Sequence, residues 1–333
     1  MNAQSLSLSF RIPLAFHCLN NEGASGNVME PRRITILEHE YDGISGEMVR
    51  RHVLENFIRL CEERDIPLAD ECRGLAPERS KNLLKSWMQR EANINDLRPE
   101  HYHNATAHLL ERCALSDLGG YLIPFESTDK VKGTLKRDSC IEFGWLITED
   151  PAIVEFTQQV AYRADPAQNN PFTQNMRVGI YSGVFRFDLD RVGRSDWAWL
   201  TNTESRVLDE AERQKRVEAL LDALEQWLLS PGGARQAGWL QHQSDLREGV
   251  FCLSKSGPAP FISPLAVRLT RMPEGAEEAE TPVAYNPDFR EKLRGLVAKR
   301  PDNLMCFEFT DVVQLAEAFD RVRQYLRNGA GGM

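Results

Sequence analysis

The stretch YDGISGEMVRRHVLENF, Tyr41 to Phe57, sets an Asp-Gly and an Ile-Ser-Gly ahead of two arginines and a histidine. Met48, Val49, His52, Val53, Phe57 and Leu60 recur at helical spacing, so Ser45 and Gly46 stand at a helix entrance. Ser45 reads as the N-cap, and Arg50 and Arg51 as solvated charge. The same entrance also suits an anion, because exposed N–H groups and the helix dipole favour phosphate there. Taken alone, the pattern favours the plain cap. Three further stretches carry binding chemistry. KVKGTLKR is a basic run with no acid: Lys130, Lys132, Lys136 and Arg137 can contact phosphates, and Gly133 lets backbone approach a ligand closely. NPFTQNMR gathers Phe172, Gln174, Met176 and Arg177, types that stack on bases and bond backbone oxygens without regard to sequence. LSKSGP is a small-residue turn around Lys255. Each reads equally well, alone, as an ordinary solvated turn.

Catalytic patterns are thinner. There is no P-loop, no GxGxxG after a strand and no GxSxG elbow. Asp188 and Asp190 could share a metal, but more simply they finish a strand at a turn. Asp165 stands between Ala164 and Pro166 without an evident carboxylate partner, so phosphodiester cleavage is not expected. Cys61, Cys72, His101, His103, His108 and Cys113 fall in one helical region. Only His101 and His103 are closely spaced, whereas zinc sites usually show close ligand pairs. They read as buried thiols and surface histidines, with a structural zinc as the minor alternative. No cofactor is expected.

At 333 residues the chain can form one large or two modest domains. No run of about 18 apolar residues is present, so no membrane span is expected. The N-terminal MNAQSLSLSFRIPLAF reads as a strand and not a signal peptide. Seven cysteines, without CxxC spacing, suit a reducing cytoplasm. The net charge of −9 argues against nonspecific nucleic-acid binding. The charge is segregated, however: KVKGTLKR is wholly basic and EGAEEAE, Glu274 to Glu280, wholly acidic. An acidic protein of this kind can carry one basic groove.

These residues must be positioned by elements that the pattern outlines. Ser5 to Cys18 alternates as a strand, NNEGASGNV reads as a loop, and RRITILE as a short strand led by Arg32 and Arg33. The helix at Ser45 follows, then polar helical sequence from about Pro67 to Arg112. CALSDLGGYLIPF reads as a strand broken by Gly-Gly, and SCIEFGWLI as another. A long polar excursion leads into RVGIYSGVFRFDLDRVG, a strand with a bulge or kink expected at Ser182-Gly183. Strand, excursion and strand make a long hairpin with an extended tip, too long to be idle. Ser205 to Ser230 is the clearest helix; GVFCLSKSG, SPLAVRLTRM and NLMCFEF are strands, and a last helix runs from about Asp311 to Arg327. The order predicts an α+β fold, at its simplest a ferredoxin-like β-α-β-β-α-β core with large insertions, the sheet of many RNA-binding modules.

ISGEMVRR after an N-terminal strand, CALSDLGGYLI after a helical insertion, and GIYSGVFRFDLDRVG after a long hairpin resemble the backbone subunit of type I CRISPR Cascade complexes, in its DevR-like branch. The likeness covers roughly Ser5 to Leu269. The resemblance implies an RRM-like palm (residues 1–61 and 113–333), a helical fingers insertion (62–112) and a β-hairpin thumb (about 148–176). It implies a guide-RNA-binding subunit that is not an enzyme. Copies would stack as a helical filament along the CRISPR guide RNA, with other Cascade subunits, presenting it to a target DNA strand. The thumb of one copy would fold over RNA held by its neighbour. The family's Ser-Gly helix entrance falls on Ser45, Gly46, Arg50 and Arg51, which turns the cap into a phosphate cradle. Glu47 departs from that pattern, since a carboxylate repels phosphate. Two alternatives stay open: an RNA endonuclease subunit of the type III kind, with Asp165 in the thumb, and a DevR-like regulator whose RNA binding is incidental.

Overall fold

In the computed structural model the described residues are all but 1, 18–20, 26–27, 38, 76–78, 126–131, 150–152, 162–169, 232–245, 268–282 and 329–333; for 15–17, 21–25, 28–31, 153–161, 170–172 and 174–175 only the backbone is described. The chain opens with β1 (Ser5–His17), β2 (Asn21–Ser25), β3 (Val28–Pro31), β4 (Arg33–Ile36) and β5 (His39–Ile44). Helix α1 (Gly46–Glu63) leads into α2 (Lys81–Arg90), α3 (Tyr102–Arg112), the short α4 (Ala114–Gly119) and a small hairpin, β6 (Tyr121–Pro124) with β7 (Thr134–Arg137). Then come β8 (Ile141–Phe143), β9 (Leu146–Thr148), β10 (Ile153–Ala161) and the 19-residue β11 (Asn170–Asp188). Next are α5 (Ala198–Thr201), α6 (Glu210–Leu229), β12 (Leu246–Ser254), β13 (Leu265–Val267) and β14 (Val283–Tyr285). The last elements are α7 (Phe289–Ala298), β15 (Leu304–Asp311) and α8 (Val312–Asn328).

The main sheet runs β15-β12-β1-β11-β9-β5-β4, with β8 and β10 also on β11. Its centre, β12-β1-β11-β8/β9, is antiparallel throughout, with α1 following β1 and α6 following β11. That is the split β-α-β order of the ferredoxin-like fold expected from sequence. The alternation of β1 explains its orientation. Leu6, Leu8, Phe10, Ile12 and Leu14 are all buried in one core with Phe185 and Phe187 of β11, Val53 and Phe57 of α1, and Leu220, Leu224 and Trp227 of α6. Each such side chain contributes about 1.5–3 kcal/mol by burial. A one-residue slip of β1 would expose the whole set, so the register is strongly specified.

The opposite face of the sheet is covered too. Ser5 Oγ donates to the Gly257 carbonyl at 2.7 Å and Ser7 Oγ to that of Pro260 at 2.6 Å. Val250 and Cys252 pack under Phe289 and Leu293 of α7. Beside them Arg11 is held by Glu149 and Glu248, each at 2.5 Å, with its guanidinium 3.6 Å from the centre of the Tyr285 ring. A second, smaller core joins the helical insertion to the β6–β7 hairpin through Leu84, Met88, Leu97, Leu109, Tyr121, Ile123 and Leu135. Within the segment expected as fingers, 62–112, Leu84 to Leu109 thus pack with the β6–β7 hairpin, whereas Ile66, Ala69 and Cys72 belong to the main core.

Three local expectations are corrected. The NNEGASGNV loop is a hairpin, β2 with β3. Ala114–Gly119 is a helix, not the start of a strand; Gly120, at φ +67, ends it, and a Cβ there would lie 2.5 Å from the Arg137 carbonyl oxygen. Toward β1 there is no bulge at Ser182-Gly183, since the pairing runs without a shift from Ser5↔Asp188 to Leu14↔Gly179. On the other side the register slips by one between Phe185↔Phe143 and Ser182↔Ile147, and the extra residue lies between β8 and β9. Gly183 instead makes room for Phe10 and Leu146, which a Cβ would meet at 2.9 and 3.0 Å.

Candidate nucleic-acid interface

Ser45 caps α1 as expected. Its backbone is extended, and its Oγ accepts from the Met48 N–H at 3.3 Å. Gly46 has a different reason from ligand access. A Cβ there would stand 2.0 Å from the Phe143 carbonyl oxygen, so glycine is what lets α1 start against β8. Glu47 is exposed in the first turn. The two arginines divide. Arg51 is exposed and pairs with Glu55 along the helix at 3.1 Å. Arg50 is half-buried and has no hydrogen-bond or ion-pair partner among the described residues. Its neighbour is another cation, Arg79, which donates to the carbonyls of Gly119 and Gly120 at 2.9 and 3.1 Å. Burial, and then the charge of Arg50, hold the Arg79 guanidinium below its ordinary pKa. An anion beside the two guanidinium groups would relieve that repulsion.

The loop before β9 completes this region. Arg32 lies with its guanidinium carbon 4.9 Å from the centre of the Trp145 ring, and Arg33 pairs at the surface with Glu40 at 2.5 Å. Trp145 and Arg79 were missed from sequence. Trp145 had a legible signal. Ile141 and Phe143 keep a period of two, but the next buried residue is Leu146, three positions on, and that break turns Trp145 outward. Arg79 had none, since its partners lie 40 residues away in the chain.

The other expected residues are not all available. Lys132 and Lys136 are exposed on the β6–β7 side. Gly133, at φ +112, sits there because a Cβ would meet the Leu97 carbonyl oxygen at 2.7 Å, so its close approach is to the insertion. Arg137 is a correction. Its side chain is fully buried, paired with Asp117 and with Asp196, each at 2.9 Å, and it cannot reach a ligand. Arg177 is also buried, paired with Asp42, to which the Tyr181 hydroxyl donates as well. Met176 beside it is fully buried. Phe172 and Gln174 lie on β11 in the hairpin, where only backbone is described. Lys130 and Asp165 lie outside the described residues. Lys255 is exposed after β12, across β1 and β11 from β9; it borders a cavity of about 300 Å³ with Arg206, Arg213, Asp190 and Glu210.

The segment expected as a thumb, about 148–176, contains a hairpin in its backbone. β10 pairs antiparallel with β11 from Ile153↔Val178 to Ala161↔Asn170, and β3 joins β11 at Thr173↔Val28. Among the described residues, no group of three or more His, Cys, Asp or Glu is placed to hold a metal ion. Cys61, Cys72 and Cys113 are buried. Asp190 pairs with Arg194 at 3.0 Å, and Asp188 accepts from the Arg191 N–H, which is the turn-finishing role expected. Among the described residues, no helix is long and apolar enough to cross a membrane.

A ferredoxin-like sheet with a helical insertion and a long hairpin is thus the frame, and Arg50, Arg51 and Arg79 stand near one helix entrance. A family model described as "CRISPR-associated negative auto-regulator DevR/Csa2" matches residues 8–268. The chain belongs to this family. Similar solved structures include a chain of a "CRISPR RNA-guided surveillance complex", 14% identical, covering 96% of this chain and 98% of that one at a TM-score of 0.41. Another is a chain of a "CRISPR RNA-guided surveillance complex, pre-nicking", 12% identical, covering 96% and 99% at a TM-score of 0.43. No curated protein matches the chain.

Proposed function

We propose that this chain is a guide-RNA-binding backbone subunit of a Cascade-type surveillance complex, which oligomerises along the guide and presents it for pairing with a target DNA strand. Family membership supports the CRISPR setting. The observation that carries the rest is the helix entrance. There Arg50, unpaired among the described residues, and Arg79 stand together near the start of α1, and Arg32 lies over Trp145. Phosphates are the natural counterions of such a place, and a strand tracking along them would be held without regard to base sequence. The β10–β11 hairpin supplies a reach toward a neighbouring copy. The coverage of both sheet faces argues that RNA follows the rim of this palm and not the open sheet of a typical RNA-recognition module.

The decisive measurement is the absorbance ratio at 260 and 280 nm of the protein after gel filtration. A large species rich in RNA is expected. A nucleic-acid-free monomer that gains no mass when guide RNA is supplied would defeat the reading.

A further inference from the structure

Trp145 is 38% exposed although it stands between strands of a packed sheet. The β5–β9 ladder pairs Gly43 with Ile147 and Ile44 with Leu146, so the next step sets Trp145 opposite Ser45 and Gly144 opposite Gly46. The close approach of Gly46 to the Phe143 and Gly144 carbonyls agrees with that step. The indole rests beside Gly43, where an added Cβ would lie 3.1 Å from the ring carbon Cε3. Arg32 lies over the ring. An indole left partly in water gives up burial that its fold could have used. What it offers instead is a flat aromatic surface with a guanidinium at its face, one strand step from the first turn of α1.

We propose that Trp145 is a stacking platform for a nucleobase of single-stranded RNA, with Arg32 holding the same base or its phosphate. The proposal rests on the RNA binding inferred above and adds a site for the base. A nucleotide is the occupant that matches both halves of the place. Its ring stacks on indole, whichever base it is, and its phosphate complements the cations and the N–H groups that begin α1. A neutral aromatic side chain from a protein partner would satisfy only the ring.

The test uses the full chain and two labelled 12-nucleotide strands, oligoadenylate and an abasic ribose-phosphate of the same length. The natural protein should bind the base-bearing strand more tightly. Trp145→Ala should weaken that binding roughly 5- to 100-fold and leave the abasic strand as it was. Trp145→Phe, which keeps a ring, should restore most of the difference. Equal weakening of both strands would mark a structural role and overturn the platform. Unchanged preference for bases in Trp145→Ala would overturn it as well, while RNA binding itself stood. A natural protein that binds neither strand would overturn the RNA reading and the platform together.

Discussion

Asp117 is one buried carboxylate facing two buried guanidinium groups, Arg137 at 2.9 Å and Arg216 at 3.2 Å, and it also accepts the Gly193 N–H at 3.0 Å. Removing one partner of a buried ion pair is costly because the other charge stays in a poor medium. Asp117→Asn should therefore lower stability by about 3 kcal/mol, the lower part of the usual range because Asp196 and Glu212 still face the two arginines. Urea unfolding of purified protein checks this, and a loss under about 1 kcal/mol would show that the arginines find other partners. The same network shows why the basic run was only half legible. TLKR, which reads in sequence as part of a solvated turn, is a strand whose burial alternates, so Lys136 faces out and Arg137 points inward. The acid that makes an inward arginine tolerable lies 20 residues back, in a helix that reads as a strand. Arg177 was misjudged for the same reason, since Asp42 is 135 residues away in the chain. At the helix entrance, the two arginines should separate in the bench test. Arg50→Ala should weaken RNA retention and reduce its salt dependence, while Arg51→Ala, whose charge is already answered by Glu55, should do so far less. Equal effects would move the phosphate contact off the entrance.

At the scale of elements, α1 begins where it does because Gly46 can lie against Phe143. Gly46→Ala would press a methyl group into a carbonyl oxygen 2.0 Å away. Backbone must shift to relieve it, and a loss of about 1–3 kcal/mol is expected, read as a lower urea midpoint. The long β10–β11 hairpin is the element whose proposed role is most readily separated from the fold. Replacing 156–175 by Asn-Gly keeps the rung Glu155↔Met176 and joins it through a favoured two-residue turn. The shortened chain should stay folded, since the buried pair Arg177–Asp42 is kept, yet fail to form long RNA-bound assemblies. Long assemblies formed without the hairpin would remove it from the contact between copies. Elements with strong periodicity, β1, α1, α6 and α8, were legible because one face of each is apolar. The segments that cover the second sheet face were not, since Phe289 and Leu293 look like any short amphipathic turn until β12 is placed beneath them.

At the scale of the whole molecule, an acidic chain that holds RNA must do so locally, with repulsion elsewhere. Retention should accordingly fall steeply with salt. RNA-loaded assemblies given complementary RNA or DNA with magnesium or manganese should bind it and yield no product. Regular cuts in the RNA strand, abolished by Asp165→Ala, would reassign the chain to a cleaving role.

One strand, β11, runs from the hairpin through the middle of the sheet, pairing in turn with β10, β1, β9 and β8. A neighbour that tugs on the hairpin along its length loads those perpendicular hydrogen bonds side by side and in shear, so they resist together and cannot be peeled one at a time. The projecting arm and the body then behave as a single lever without a hinge. Tension along such an assembly would pass from copy to copy through the centre of each molecule, and the helix entrance proposed to hold the guide would be spared the strain.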